Sequence, residues 1–280
     1  MPVKEDSSGR RSVQVEVEVP GTPEEVWKAI ATGPGISSWF VPTTTEDDAN
    51  GVPVKVLSNF GPGMESVATV TGWNPPQSFS AESNDLGPDA PPVATEWFVE
   101  ARDGGTCVVR VVHSLFADTD DWDKQLEGWE SGWPDFFRLL HLYLTHFSGQ
   151  PCSSFQLMAF TAPPRDAAWR TLVDGIGFET VATGERVEST GDTPRVSGVV
   201  ERRGQPSYAE EMLVRLQTPA PGIAHLFAMK MGEQVLLSMR MHLYGGTAAD
   251  VVAREEPAWK AWLGAQFPGD PAAVDSGATV

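Results

Sequence analysis

Of the five histidines in this 280-residue chain, His113 stands where an imidazole has most to offer. It closes the run Val109-Arg110-Val111-Val112-His113. As a strand, that run puts His113 on one face with Val109 and Val111 and leaves Arg110 on the other, solvated. An imidazole on an apolar face can orient a polar group of a ligand or carry a proton. The same position also suits a histidine whose ring is satisfied inside the fold, because buried polar groups are nearly always hydrogen-bonded. Acid–base catalysis needs a positioned partner, and no carboxylate pairs convincingly with His113. Arg240 and His242 lie in a similar run, but there Leu237, Met239, Met241 and Leu243 make the apolar face, which points Arg240 and His242 outward.

Other chemistries lack their residues. His141 and His146 are five apart and share a helix face poorly; there is no His-Glu-x-x-His run, and Cys107 and Cys152 are not spaced as metal ligands. Asp118, Asp120, Asp121 and Asp123 lack the glycine and terminal glutamate of a calcium loop and read as charge at a helix N-terminus. No dinucleotide or Walker-type loop is present. Gly33-Pro34-Gly35 and Gly61-Pro62-Gly63 each contain a proline, which removes a backbone donor that a phosphate would need. No Gly-x-Ser-x-Gly elbow occurs. No catalytic residue, metal or cofactor is expected from these patterns.

The elements around His113 are rich in aromatic residues. Trp122, Leu126, Trp129, Trp133, Phe136, Leu140, Tyr143 and Phe147 recur at steps of three and four, one face of a long helix. Pro134 interrupts that helix and predicts a kink or a fresh start near Trp133. Trp97 shares a strand face with Val99, and Trp39-Phe40 end a short helical turn predicted over 36–40. These residues read either as the wall and gate of an apolar cavity or as ordinary core packing. The cavity candidates are Trp39, Phe40, Trp97, Val109, Val111, His113, Trp129, Trp133 and Phe136.

The plan is written twice. An alternating strand over Val13–Val19 leads into Thr22-Pro23-Glu24-Glu25-Val26-Trp27, with a cap, a proline at the first helical position and acidic residues after it. Gly33-Pro34-Gly35 is expected to break that helix. Strands follow, punctuated by turn residues, the clearest pair being 95–102 with 106–114. The second half repeats strand, tryptophan helix, strands and a final helix over 247–267. Trp27 to Trp169 is an offset of 142 and Pro134 to Pro257 one of 123, so the second copy is 19 residues shorter between these landmarks. Nothing after its first helix matches Ser38-Trp39-Phe40.

The formal net charge of -18 disfavours nucleic acid and anionic membrane surfaces as partners. Met1–Ser12 has no apolar core of a signal peptide, no apolar run is long enough to cross a bilayer, and a cytoplasmic location is expected.

The strand followed by Thr22-Pro23-Glu24-Glu25-Val26-Trp27-Lys28-Ala29-Ile30, then Ile36-Ser37-Ser38-Trp39-Phe40, resembles the START-like (SRPBCC) superfamily. Within it the resemblance is to the family of activator of Hsp90 ATPase, the AHSA1-like proteins. Gly105-Thr106, His113-Ser114, Leu126-Glu127-Gly128-Trp129 and Gly132-Trp133 fit as well. The resemblance implies an α+β chain of two helix-grip domains, each an antiparallel sheet curled around a long C-terminal helix. The first spans 12–148 and a degenerate second copy 152–268, with flexible tails over 1–11 and 269–280. It further implies a small hydrophobic ligand in the first domain's cavity. The alternatives are a regulator of an Hsp90-type chaperone ATPase, or a polyketide cyclase or dehydratase.

Overall fold

The computed structural model describes residues 3–268 except 62, 88, 118, 163 and 205–208. The chain divides into two compact units, Met1–Gly149 and Gln150–Val280. Both are α+β, an antiparallel sheet carrying a long C-terminal helix on one face.

The first unit runs β1 (Lys4–Glu5), β2 (Arg10–Pro20), α1 (Pro23–Ala31), α2 (Gly33–Ser37), β3 (Thr43–Asp47), β4 (Pro53–Asn59), β5 (Glu65–Asn74), β6 (Ser78–Ser83), β7 (Val93–Arg102), β8 (Thr106–Phe116) and α3 (Asp123–His146). Its strands lie in the order β1-β2-β8-β7-β6-β5-β4-β3. The β2–β8 register sets Val13 against His113, Val15 against Val111 and Val17 against Val109. The valine alternation of β2 thereby joins one apolar face that α3 covers.

The helix starts follow from their caps. Thr22 Oγ1 accepts from the Glu25 N–H at 3.3 Å, and the Glu25 carboxylate accepts from the Thr22 N–H at 2.9 Å. This reciprocal pair satisfies two donors that a helix start leaves open. The Gly-Pro-Gly run differs from the expectation that it only breaks the chain. Thr32 Oγ1 accepts from the Gly35 N–H at 3.1 Å and opens α2, with Pro34 in its first turn. Proline costs little there, because its missing N–H would have had no helical partner. Trp39 and Phe40 therefore follow the short helix rather than form it.

Two further expectations are corrected. Helix α3 runs unbroken through Pro134. Its buried stripe passes Trp133, Phe137, Leu140 and Leu144, in steps of four, three and four, while Trp129 and Phe136 stay half-buried. The expected tail over 1–11 contains strand: Lys4 pairs with Ser12 and Glu5 with Arg11, around a turn in which Asp6 accepts from the Ser8 N–H at 2.8 Å. Arg11 pins this segment by bonding both Glu5 and Asp123. The tail expected over 269–280 lies outside the described residues.

The second unit runs β9 (Cys152–Thr161), α4 (Arg165–Ile176), β10 (Arg186–Glu188), β11 (Ser197–Gly204), β12 (Ala209–Thr218), β13 (Gly222–Met231), β14 (Gln234–Tyr244) and α5 (Ala248–Gln266). Its strand order is β10-β11-β12-β13-β14-β9. The order matches the first unit's from β2 to β4, with no counterpart of β1, α2 or β3 among the described residues. Trp27 to the start of β4 is 26 positions and Trp169 to the start of β10 is 17, so this segment accounts for 9 of the 19 residues by which the second copy is shorter. Between sheet and helices lie Trp169, Leu172, Trp259, Leu226, Met239 and Met241, all buried. Arg240 and His242 do face away from these, as alternation requires, but they are not solvated: they are 3% and 0% exposed. Leu213, Ile223, Leu236 and Tyr244 share their face and are buried too. Arg240 replaces lost hydration with bonds from Nε and Nη2 to Gln156 Oε1, at 2.9 and 2.5 Å. Burial pushes its guanidinium pKa down to about 10.

Candidate functional site

In the first unit, one side of the sheet presents a single face built from every strand. Cross-strand register sets Ala81, Thr95, His113 and Val13 in one row, and Phe79, Trp97, Val111 and Val15 in the next. Over β7 and β8 this face is buried at Trp97, Val99, Val109 and Val111 and half-buried at Thr95 and His113. Over β4 and β5 it stays half-buried at Val56, Ser58, Ser66, Ala68 and Val70. The difference follows from where the helices lie. Helix α3 packs along β2 and touches β8, and α1 lies over β7 and β8. The inward positions of β6, Phe79, Ala81 and Ser83, are buried, unlike those of β4 and β5.

The aromatic candidates meet on the boundary between these halves. The Trp97 and Trp133 rings lie edge to face at 5.1 Å, and Trp39 meets Trp97 at 6.5 Å. Trp39 is held from behind, its Nε1–H donating to the Ala29 carbonyl at 2.9 Å. Phe40 stacks on Trp133 at 5.4 Å and meets Phe136 at 4.7 Å and Phe60 at 5.6 Å, each edge to face. Of the sequence candidates, Trp39, Trp97, Val109, Val111 and Trp133 are therefore packed inside. Phe40, His113, Trp129 and Phe136 are half-buried.

His113 is satisfied by side chains rather than by a backbone carbonyl. Trp133 Nε1–H donates to His113 Nε2 at 2.6 Å, and Thr95 Oγ1 lies 2.9 Å from His113 Nδ1. The rings of Trp133 and His113 are nearly coplanar, 20° apart, and Trp129 tilts over the imidazole at 5.1 Å. No charged group takes part, so burial alone pushes the His113 pKa down to about 4. The imidazole is neutral at pH 7, and its lone pair is already engaged. That arrangement suits hydrogen-bond orientation and does not suit a general base.

Sequence reasoning passed over Thr95, Phe60 and the small inward residues of β4 and β5. The signal for the last was present: Ser66, Ala68 and Val70 alternate with Glu65, Val67, Thr69 and Thr71, which are exposed. Small residues where a strand's core face should be bulky mark space left unfilled.

No helix among the described residues is long and apolar enough to cross a membrane. Nor does any group of three His, Cys, Asp or Glu side chains among them converge as metal ligands would.

No family model matches this chain, and no curated protein matches it. Solved structures do. DynU16, from the dynemicin biosynthetic locus, is 18% identical over 91% of this chain and 95% of its own, with a TM-score of 0.41. The di-domain ARO/CYC BexL from the BE-7585A biosynthetic pathway is 13% identical over 93% of this chain and 100% of its own, with a TM-score of 0.43. The Aha1 dimer from Colwellia psychrerythraea is 19% identical over 49% of this chain and 98% of its own, with a TM-score of 0.38.

Proposed function

We propose that the first unit binds a small, largely apolar molecule in a groove between α3 and the inward face of β4 and β5. The observation that carries this reading is the split in one sheet face. On β6–β8 that face is buried at Phe79, Ala81, Trp97, Val99, Val109 and Val111 and half-buried at Thr95 and His113, whereas on β4–β5 it is half-buried at Ser58, Ser66 and Ala68. Phe40 meets both Phe60 and Phe136, and all three rings are half-buried, with part of their surface in water. A ligand that covers such rings gains about 25 cal/mol for each Å² of apolar surface it removes from water. Concave, mainly apolar sites with a few placed polar groups are where small molecules bind.

The second unit has no α2 and no Trp-Phe pair, and its core is filled by large side chains from both helices and the sheet. It serves in this reading as a structural partner. Acid–base turnover by His113 is disfavoured, because its lone pair is held by Trp133.

Native mass spectrometry and thermal shift with panels of lipids and flat aromatic compounds test the proposal. A bound compound raises the melting temperature in proportion to the logarithm of its concentration over its Kd. If the purified protein carries nothing and no compound stabilises it, the binding role is wrong.

A further inference from the structure

The three-residue chain Trp133–His113–Thr95 has a fixed direction. An indole nitrogen only donates, so the short Trp133 Nε1 to His113 Nε2 contact, 2.6 Å, requires a lone pair on Nε2. A neutral imidazole then carries its proton on Nδ1, which faces Thr95 Oγ1 at 2.9 Å. Thr95 must therefore accept from the histidine. Its own hydroxyl proton is left over, and among the described residues that hydroxyl has no second partner. On the sheet Thr95 lies between His113 and Ala81. The Ala81 methyl is buried and accepts nothing, and past it on β5 lies half-buried Val70.

We propose that the Thr95 hydroxyl is the hydrogen-bond donor of the groove, and that the ligand is an apolar molecule presenting an acceptor oxygen to it, such as an aryl ketone. The inference rests on the groove reading above and adds the chemical class of its ligand. An acceptor satisfies the leftover proton, whereas a ligand group that only donates leaves it unpaired in a partly desolvated place. Trp133 thus acts at a distance, as a positioning residue that sets the tautomer of His113 and through it the polarity of Thr95.

Two measurements test this. The first is fluorescence titration with 6-propionyl-2-dimethylaminonaphthalene and with its 6-propyl analogue, which lacks the carbonyl. Thr95→Val should weaken the ketone about three- to tenfold, as expected for one neutral hydrogen bond, and leave the analogue within about twofold. Thr95→Ser should restore the ketone. Equal losses for both probes, or no loss for the ketone, overturn the donor role while leaving the groove intact. If neither probe binds the unaltered protein, the groove reading fails and the inference falls with it. The second needs no ligand: long-range nitrogen–proton correlation spectra should show His113 Nδ1 protonated and Nε2 bare. The opposite tautomer overturns the proposal even if the groove binds.

Discussion

Trp133 on α3 and His113 on β8 are joined by an indole N–H to imidazole Nε2 bond of 2.6 Å, a side-chain hydrogen bond between helix and sheet inside the first unit. Phe at position 133 keeps most of the ring's packing and removes the donor. The His113 Nε2 lone pair is then left unpaired where water reaches it poorly. Trp133→Phe should lower the unfolding free energy by about 1–3 kcal/mol in urea titrations, with an unchanged m-value. It should also release the tautomer lock, visible as mixed His113 nitrogen shifts. A stability loss without any change in the tautomer would mean that packing alone, not the hydrogen bond, is at stake.

The same imidazole predicts an acid response. The folded-state pKa of His113 is about 4 against an ordinary 6.5, so between those values the unfolded chain binds a proton that the folded chain refuses. Stability is intact above pH 6.5 and falls as pH drops toward 4, by roughly 3 kcal/mol from this group at about 1.4 kcal/mol per pH unit. The cause is burial, which strips hydration from the imidazolium with no charged group to replace it. His113→Gln should flatten the pH 4–6.5 part of a melting-temperature profile relative to the unaltered protein. If both profiles fall alike over that range, His113 is not the group responsible.

Two glycines should respond in opposite ways. A Cβ on Gly35 would sit 1.9 Å from the Lys28 carbonyl oxygen, which is backbone and cannot swing aside. Gly35→Ala therefore separates α2 from α1 and should cost several kcal/mol, on the order of the larger core overpacking penalties. Gly128, exposed in α3, has open space around a would-be Cβ. Gly128→Ala should stabilise by about 0.5–1 kcal/mol, because alanine loses less backbone freedom on entering a helix. Thermal melts of the two variants check both signs at once.

These responses show what could be read from residue order and what could not. The capping box at Thr22 and Glu25, the valine alternation of β2 and the placement of His113 with Val109 and Val111 are local patterns, and local geometry alone produces them. The phase of α3 was harder. Phe136 and Phe137 are both aromatic and adjacent, and only packing against Trp97 decides that Phe137 takes the buried side. Proline rules gave the end of α1 at Gly33-Pro34-Gly35 but not the new helix that Thr32 caps there, and the fresh start expected near Trp133 does not occur, because α3 continues through Pro134. Burial of Arg240 and His242 depends on contacts made by a whole sheet face, which alternation does not report. The bond from Trp133 to His113 crosses 20 positions between different elements, and no spacing rule announces it.

The groove itself can be tested by filling it. Ala68 lies on the inward face of β5, paired with Val56 on β4 and Ser83 on β6, and is half-buried with only a methyl group to present. A phenyl ring there points to the inward side of β5, between half-buried Val56 and buried Ser83. Ala68→Phe should therefore keep the melting temperature within a few degrees, since substitutions that touch no core contact usually change stability by less than about 0.5–1 kcal/mol. It should weaken binding of the naphthyl probes at least about tenfold, because the occupied volume is the volume the ligand needs. Outward-facing Thr69→Phe, one residue along the same strand, is the control and should leave binding unchanged. If Ala68→Phe folds normally and binds the probes as tightly as before, the ligand does not lie over β4 and β5. If it unfolds the unit, that face is packed more closely than a half-open groove allows, and the proposal loses its structural basis.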